Sequence, residues 1–245
     1  MFEIFLSARD EGCGRVSPER LIMKKCVAEF FGTFALVFAG TGAIVINGVS
    51  GGVVTHAGIA LTFGLVVLAM IYTIGDISGA HLNPAVTLGF YAARRFPGRA
   101  VMPYVISQLA GATAASLLLH FLFPQDKTLG MTLPAGGVGQ SFVLELALTF
   151  ILMWVILSVS SGAQEKGITA GIAVGSVIAL EAMFAGPISG ASMNPARSIG
   201  PAVVSLHFEG LWIYLGATVL GAVLAVPLCR VIRGADCCGP HAKPI

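Results

Sequence analysis

The sequence predicts an all-α membrane protein with six transmembrane helices and two re-entrant half-helices, arranged as an inverted 3+3 repeat. Three observations support this fold class. The 245 residues are 56% hydrophobic and only 11% charged, whereas a soluble domain has about 25% charged residues. Six apolar runs are long enough to cross a bilayer. A motif of thirteen residues also occurs twice, once in each half of the chain.

The six apolar runs each reach the length of about 20 residues that a helix needs to span the hydrocarbon core. They cover 26–49, 56–75, 100–123, 141–163, 167–188 and 210–229. We therefore predict five segments. These are a tail over 1–25, a first repeat over 26–123, a connecting loop over 124–140, a second repeat over 141–230 and a tail over 231–245.

The distribution of basic residues predicts the orientation. With the N-terminus inside, twelve of the fourteen Lys and Arg residues lie on the cytosolic side, and only Lys127 and Arg197 remain for the other side. This is a strong positive-inside bias. We expect a multi-pass protein of the plasma membrane with both termini cytosolic and the 124–140 loop outside. The segment before Lys24 lacks the apolar core of a signal peptide, so we expect no cleavable targeting signal.

The cysteines fall on the predicted cytosolic side, where thiols normally stay reduced, so we expect no disulfide. They are Cys13, Cys26, Cys229, Cys237 and Cys238. The "CCGPH" end is a candidate for palmitoylation or for metal binding with its histidine, but an inert tail is favoured. We expect no cofactor and no metal site. The net charge of +2 reflects the positive-inside bias and gives no reason to expect a nucleic-acid partner.

The two copies of the repeated motif are "ISGAHLNPAVTLG", from Ile77, and "ISGASMNPARSIG", from Ile188. A separation of 111 residues relates Asn83 to Asn194. Each half of the chain therefore holds three spans and one motif. Because three is odd, the second half enters the membrane upside down relative to the first. Inverted repeats of this kind place a site near the middle of the bilayer.

Neither motif segment is long enough to span, so each is predicted to be a half-helix. Asn is among the best N-caps, and Pro at the first helical position gives up only an amide that had no partner. The half-helices are therefore predicted to begin at Pro84 and Pro195. The two Asn-Pro-Ala motifs comprise Asn83, Pro84, Ala85, Asn194, Pro195 and Ala196.

Because the repeats are inverted, the two half-helices should point their N-termini at one spot, and each N-terminus carries roughly half a positive charge. The side-chain amides of Asn83 and Asn194 would add hydrogen-bond donors there. Cations and hydronium would be repelled, whereas a neutral molecule with an oxygen lone pair would bind. A water held by two donors turns its hydrogens away, which interrupts proton hopping.

The small residues before each motif are predicted to turn backbone carbonyls toward the lumen as a ladder of acceptors. The predicted carbonyls belong to Gly79, Ala80, His81, Gly190, Ala191 and Ser192. Two roles stay open for the His81 side chain: it either lines the lumen as an acceptor or fixes the loop as a donor.

Arg197 takes the place that Val86 holds in the first motif. A charged residue at membrane depth costs at least about 3 kcal/mol on insertion scales, so it should face water or a partner. We interpret Arg197 as a positive charge that narrows the outer mouth of a pore. The alternative is an arginine that snorkels to the headgroups.

Glu29 and Glu145 hold equivalent places in the two repeats. The favoured interpretation is a pair of buried carboxylates that accept hydrogen bonds from the amides of the re-entrant loops. Carboxylates of a proton relay are the alternative. Glu181 has no acidic equivalent, because Met70 lies 111 residues earlier, and the sequence assigns it no role.

These residues resemble the aquaporin family, also called the major intrinsic proteins. Two Asn-Pro-Ala motifs, the second continuing into Arg, together with "AEFFGTF" in the first span, are the specific features. The resemblance implies the aquaporin-like fold and a homotetramer with one pore per subunit. It also implies an outer selectivity filter, which this chain would build from Phe63, Ala182, Ala191 and Arg197.

Strictly water-selective members of the family have a histidine where this chain has Ala182, so two alanines should widen the filter. The run "AGPISGASMNPARSIGPA" is similar to the nodulin-like branch, which passes glycerol and uncharged metalloid hydroxides as well as water. Phe63, Ser198 and Ala202 instead match water-channel usage.

We therefore expect a passive channel for water and small uncharged solutes such as glycerol, with urea and metalloid hydroxides as further candidates. The alternatives are a strictly water-selective channel and, from another class, a secondary transporter, which also uses inverted repeats. An enzyme is not expected, because no catalytic or metal constellation falls in register with the motifs.

Overall fold

The computed structural model describes residues 18–160 and 169–237, and within these ranges all regular secondary structure is helical. Predictions for the remaining residues, including Cys13, Cys238 and the histidine of the C-terminal tail, lie outside the described ranges. The helices are α1 Pro18–Val49, α2 Thr55–Ser78, α3 Pro84–Ala92, α4 Gly98–Leu122, α5 Val138–Val159, α6 Ala170–Ser189, α7 Pro195–Ser205 and α8 Leu211–Arg233, followed by a 3-10 turn, Gly234–Cys237.

Six of these helices are long and apolar enough to cross a membrane, namely α1, α2, α4, α5, α6 and α8. The other two, α3 and α7, have 9 and 11 residues and begin at Pro84 and Pro195. At that length neither can span the bilayer. The predicted fold class of six transmembrane helices and two half-helices is confirmed.

The first and last helices extend beyond their predicted spans at the ends nearest the chain termini. Helix α1 begins at Pro18, eight residues before the predicted start of the first span. Proline suits the first turn of a helix and Glu19 follows it there, where a negative charge is stabilising. Helix α8 continues to Arg233, with Arg230 and Arg233 in its last turn, where positive charge is favourable. Both extensions lie in segments expected to be tails.

The expectation of no disulfide is wrong for this structure, which joins Cys229 to Cys237. Gly234 ends α8 with a positive φ and turns the chain back, so that the 3-10 turn brings Cys237 to a Cα–Cα distance of 5.8 Å from Cys229. Both cysteines are buried. The sequence argument considered only the redox state of the compartment and not this reversal of the chain.

The helix packing follows the inverted repeat. In the first half α1 packs against α2 and α4, and in the second half α5 packs against the equivalent helices α6 and α8. The half-helices cross between the halves: α3 packs on α8, and α7 packs on α4. Helices α2 and α6, which are equivalent, pack directly on each other. Each half is therefore completed by the half-helix of the other.

Glycines allow the closest helix contacts. A Cβ added to Gly64 of α2 or to Gly175 of α6 would collide with the carbonyl oxygen of the other. Gly111 of α4 and Gly221 of α8 likewise lie against backbone carbonyls of α1 and α5. Small residues at such positions let helix backbones approach closely within a membrane. These close contacts join the six spanning helices in three pairs, α2 with α6, α1 with α4 and α5 with α8.

Candidate functional site

The two half-helices begin with side-chain caps. Asn83 has an extended backbone, and its Oδ1 accepts a hydrogen bond of 2.8 Å from the amide of Ala85. Asn194 has the same conformation, and its Oδ1 accepts bonds from the amides of Ala196 at 2.9 Å and Arg197 at 3.3 Å. Both motifs therefore start their helices as Asn-Pro sequences do in general.

The same two side chains connect the halves of the protein. Asn83 Nδ2 donates to the carbonyl of Met193 at 2.7 Å, and Asn194 Nδ2 donates to the carbonyl of Leu82 at 2.8 Å. The N-termini of α3 and α7 thus meet at one point. Each side-chain amide has two N–H groups, so this bond leaves a second donor on each asparagine, and both asparagines line the central cavity.

The loop before each half-helix has an unusual backbone that leaves amides needing acceptors. In the first loop Gly79, Ala80 and Leu82 have positive φ values, and in the second loop the equivalent Gly190, Ala191 and Met193 do as well. Buried amides in such irregular backbone must find partners, because an unpaired amide at membrane depth costs several kcal/mol.

Glu29 supplies the acceptors for the first loop. Its Oε1 accepts from the amide of His81 at 2.9 Å and the hydroxyl of Ser78 at 2.7 Å. Its Oε2 accepts from the amide of Leu82 at 2.7 Å and from Gln108 Nε2 at 2.8 Å. The carboxylate is fully buried and lies at the centre of four donors.

Glu145 has the same position behind the second loop. Its Oε1 accepts from the amide of Ser192 at 2.8 Å and the hydroxyl of Ser189 at 2.7 Å, and its Oε2 accepts from the amide of Met193 at 2.9 Å. The geometry of both glutamates is that of loop supports.

The central cavity draws its lining from both repeats. All four residues of the expected filter line it, as do both motif asparagines. Five of the six residues predicted to present carbonyls also line it: Gly79, Ala80, His81, Ala191 and Ser192. The sixth, Gly190, instead lies against Thr132 of the loop between α4 and α5. Apolar side chains from α1, α2, α3, α5 and α6 complete the wall.

Arg197 is buried within the protein, with 2% of its surface exposed. Its Nη1 donates to the carbonyl of Gly130 at 2.7 Å, and its guanidinium lies over the ring of Phe63, 5.1 Å from the centroid. A cation over an aromatic face is attracted by the ring quadrupole. Gly40 of α1 makes room for that ring, because a Cβ there would overlap it.

His81 packs in an aromatic cluster. Its ring stacks on Phe90 and contacts Phe96 and Tyr104, with centroid distances of 4.8 to 5.2 Å. Its Nδ1 lies 3.1 Å from the hydroxyl of Thr87 on α3. The ring therefore fixes the loop against α3, while the residue as a whole also lines the cavity.

Glu181 is buried on α6, with 1% of its surface exposed. Within the part of the chain that the structure describes, neither of its carboxylate oxygens has a hydrogen-bond partner. It does not belong to the described lining of the cavity, although its neighbour Ala182 does.

Sequence reasoning missed several residues that position this site. Thr132 donates to Ser198 at 2.8 Å, and Ser198 lies 2.6 Å from Ser192, so a chain of hydroxyls links the connecting loop to the second motif. Tyr104 and Tyr214 donate to the carbonyls of Ser78 and Ser189. The tyrosine pair could have been found from its separation of 110 residues. Thr132 lies in a loop and gives no such signal.

Comparison with known proteins places this architecture. The family model described as Major intrinsic protein matches residues 17–228. The chain is 45% identical over 225 residues to Aquaporin NIP1-1 of Zea mays, covering 91% of this chain and 80% of that protein. It is also 45% identical over 216 residues to Nodulin-26 of Glycine max, covering 87% and 79% of the two chains.

Among solved structures, the chain is similar to the aquaglyceroporin from Plasmodium falciparum, with a TM-score of 0.78, 27% sequence identity, and coverage of 86% of this chain and 97% of that one. The family consists of channels and not enzymes, and the resemblance to its nodulin-like members is confirmed. The protein therefore belongs to the major intrinsic protein family and is a multi-pass membrane channel for water and small solutes.

Proposed function

We propose that the protein conducts water and small uncharged solutes, glycerol in particular, passively along their gradients, while excluding ions and protons. The carrying observation is that two half-helices meet head to head at a cavity that also holds a buried arginine. Urea and uncharged metalloid hydroxides belong to the same chemical class of permeant.

The exclusion of cations follows from the charges around the cavity. The N-termini of α3 and α7 each contribute roughly half a positive charge, and Arg197 contributes a full one on the outer side. A cation would have to give up its hydration shell in front of these charges, whereas a neutral oxygen can accept from the free N–H of Asn83 or Asn194. The same two donors orient a central water so that it cannot pass a proton on.

Passage of glycerol is supported by the side chains of the expected filter. Ala182 and Ala191 leave one side of the ring small and apolar, while Arg197 offers hydrogen-bond donors and Phe63 offers an aromatic face. A polyol has hydroxyls on one edge and C–H groups on the other, so it suits a filter with one polar and one apolar side. The similarity to the aquaglyceroporin from Plasmodium falciparum supports this proposal.

A strictly water-selective pore is the second candidate. Phe63 favours it, because its ring lies directly against the guanidinium of Arg197 and occupies part of the filter. Ser198, which contacts Ser192 and Thr132 behind the filter, is also the water-channel residue at its position.

Purified protein in liposomes separates the two candidates. Shrinkage under a sucrose gradient reports water flux, and reswelling under a glycerol gradient reports glycerol entry. Glycerol entry well above that of empty liposomes is expected, and its absence beside fast water flux would favour the water-selective pore. Ala182→His, which restores the residue of water-selective relatives, should lower glycerol entry more than water flux. An equal loss of both would contradict the placement of the filter.

The membrane arrangement is a further part of the proposal. The positive-inside bias supports cytosolic termini in the plasma membrane, and the family supports a homotetramer with one pore in each subunit. Accessibility of terminal epitope tags in intact and permeabilised cells tests the orientation. The mass of the detergent-solubilised protein, corrected for bound detergent, tests the tetramer.

A further inference from the structure

The inverted repeat gives the expected filter a counterpart on the other side of the membrane midplane. We call Phe63, Ala182, Ala191 and Arg197 the outer ring. Each of its members has an equivalent 111 positions away in the other repeat. The equivalents, in that order, are Val174, Ile71, Ala80 and Val86. All four line the same cavity as the outer ring.

Two of the equivalents come from the helices that already supply the outer ring. On α2 the cavity is lined by Phe63, Val67 and Ile71, which are spaced by four residues and so lie on one face. Ile71 is therefore two turns, about 12 Å, further along α2 than Phe63. Helix α6 runs antiparallel to α2, and Val174 lies eight residues before Ala182 on it. Val174 therefore lies at the same depth as Ile71.

The other two equivalents belong to the first loop and to α3. Ala80 precedes Asn83, and Val86 lies in the first turn of α3, which leads away from the midplane on the side opposite to α7. All four residues therefore lie on the side of the midplane opposite to Arg197. We call Ile71, Ala80, Val86 and Val174 the inner ring.

The chemistry of the two rings is opposite. The outer ring offers a guanidinium and an aromatic face, whereas the inner ring offers only aliphatic side chains. Where the outer ring has Ala182, the inner ring has the larger Ile71. A further difference lies on α1 and α5, where a separation of 116 residues relates Glu29 to Glu145. The same separation relates Gly40, which makes room for Phe63 of the outer ring, to Ile156. Ile156 lines the cavity.

We propose that the inner ring is a second selection step, in which Ile71 and Val174 set the upper size of the solute that passes. Both side chains are β-branched and therefore stiff at χ1, so turning them aside for a larger molecule costs energy. A solute that satisfies the polar outer ring must then fit through an aliphatic ring that offers it no side-chain hydrogen bond. This inference rests on the proposed function, because it assigns the size limit of the same pore.

Proteoliposomes carrying Ile71→Ala and Val174→Ala together test the inference. The readout is the permeability to erythritol, a four-carbon polyol, divided by the permeability to water. The ratio should rise about tenfold, the scale on which a few methylene contacts discriminate between substrates. Leu65→Ala on α2 and Ile172→Ala on α6 are matched controls, because these side chains are 60% and 52% exposed on the surface of the subunit and do not line the cavity. The controls should leave the ratio unchanged.

The mechanism is steric, so Val174→Thr, which keeps the shape and adds a hydroxyl, should leave the ratio within about twofold of wild type. A double alanine variant that conducts water with an unchanged ratio would overturn the inference. A threonine variant that raises the ratio as much as the double alanine variant would overturn it as well. If the double variant does not assemble, Ile71→Val is measured in the same assay. This change removes one methylene and should raise the erythritol-to-water ratio, and an unchanged ratio would overturn the inference. A wild-type protein that conducts no water would instead contradict the proposed function.

Discussion

The two repeats share the parts that hold the re-entrant loops and differ in the side chains that face the pore. Glu29 and Glu145 each hold the loop before a half-helix, and a tyrosine hydroxyl bonds the same loop carbonyl in both halves. At the cavity, by contrast, the second repeat has Arg197 at the position where the first repeat has the aliphatic Val86. Duplication therefore supplied the scaffold, and divergence within it supplied two chemically different ends of one pore.

The scaffold also differs between the repeats at three positions that can be tested. Glu29 has a fourth donor, Gln108, which the second repeat replaces with Thr218. Met70 is replaced by Glu181, whose carboxylate has no hydrogen-bond partner among the described residues. Asp76 is replaced by Pro187, which lies inside α6. Exchanging residues between equivalent positions shows which of these differences matter.

The largest effect is expected from replacing the loop-supporting carboxylates by amides. In Glu29→Gln the side chain keeps one acceptor oxygen. If the new NH₂ group replaces Oε2, the amide of Leu82 and Gln108 Nε2 lose their acceptor. We expect a loss of about 2–4 kcal/mol in the free energy of unfolding. In Glu145→Gln, with the amide oxygen in the place of Oε1, only the amide of Met193 loses its acceptor. The loss of stability should therefore be about half as large. Thermal unfolding in detergent measures both, and equal melting temperatures for the two variants would contradict the difference.

The next largest effect concerns the outer mouth. Arg197→Val installs the residue of the equivalent inner position and removes a full charge from the pore. Cation and proton leak through proteoliposomes should rise about tenfold for each 1.4 kcal/mol of barrier that is lost, while water flux is retained. Leu65→Ala, on the exposed face of α2 and outside the cavity lining, is the control and should leave the leak unchanged. A variant as tight to protons as wild type would show that the half-helices alone provide the barrier.

A smaller effect of opposite sign is expected at Glu181. A buried polar group without a hydrogen bond costs about 1–3 kcal/mol, so Glu181→Met, which copies Met70, should stabilise the protein by a similar amount. Water and glycerol flux should not change, because the residue does not line the described cavity. The reverse exchange, Met70→Glu, is expected to destabilise. A lower melting temperature for Glu181→Met would reveal a partner that the carboxylate needs.

The smallest effect is expected at the proline inside α6. Pro187 has no N–H, so the carbonyl of Met183, four residues earlier, lacks its helical donor. His56 Nε2 lies 2.6 Å from that oxygen and replaces the donor. His56→Ala should therefore cost about 0.5–1.5 kcal/mol. His120→Ala, at another exposed histidine, serves as the control, and equal melting temperatures for the two variants would count against the replacement.

The sequence predicted the half-helices well because their signals are local. An Asn-Pro pair caps and starts a helix wherever it occurs, and the distances from Asn83 to Arg94 and from Asn194 to His207 show that neither segment can span. The roles expected for Glu29 and Glu145 followed from their equivalent places in the two repeats, without knowledge of the packing.

The features that sequence reasoning missed depend on contacts between distant segments. The bond from Thr132 to Ser198 joins residues 66 positions apart, and the bond from His56 to Met183 joins residues 127 apart. The disulfide between Cys229 and Cys237 depends on how Gly234 turns the chain after α8. Periodicity and composition carry no information about such meetings.

The reciprocal bonds from Asn83 to Met193 and from Asn194 to Leu82 also constrain how the protein is made. The first repeat ends at residue 123 and the second motif begins at Ile188, so the ribosome completes the first repeat 65 residues before that motif. The first loop therefore lacks its partner during this part of synthesis. Until Asn194 is in place, the carbonyl of Leu82 must accept its hydrogen bond from water or from the insertion machinery. A nascent chain truncated between the two motifs is therefore a good substrate for quality control, because its first loop has no second motif to bind.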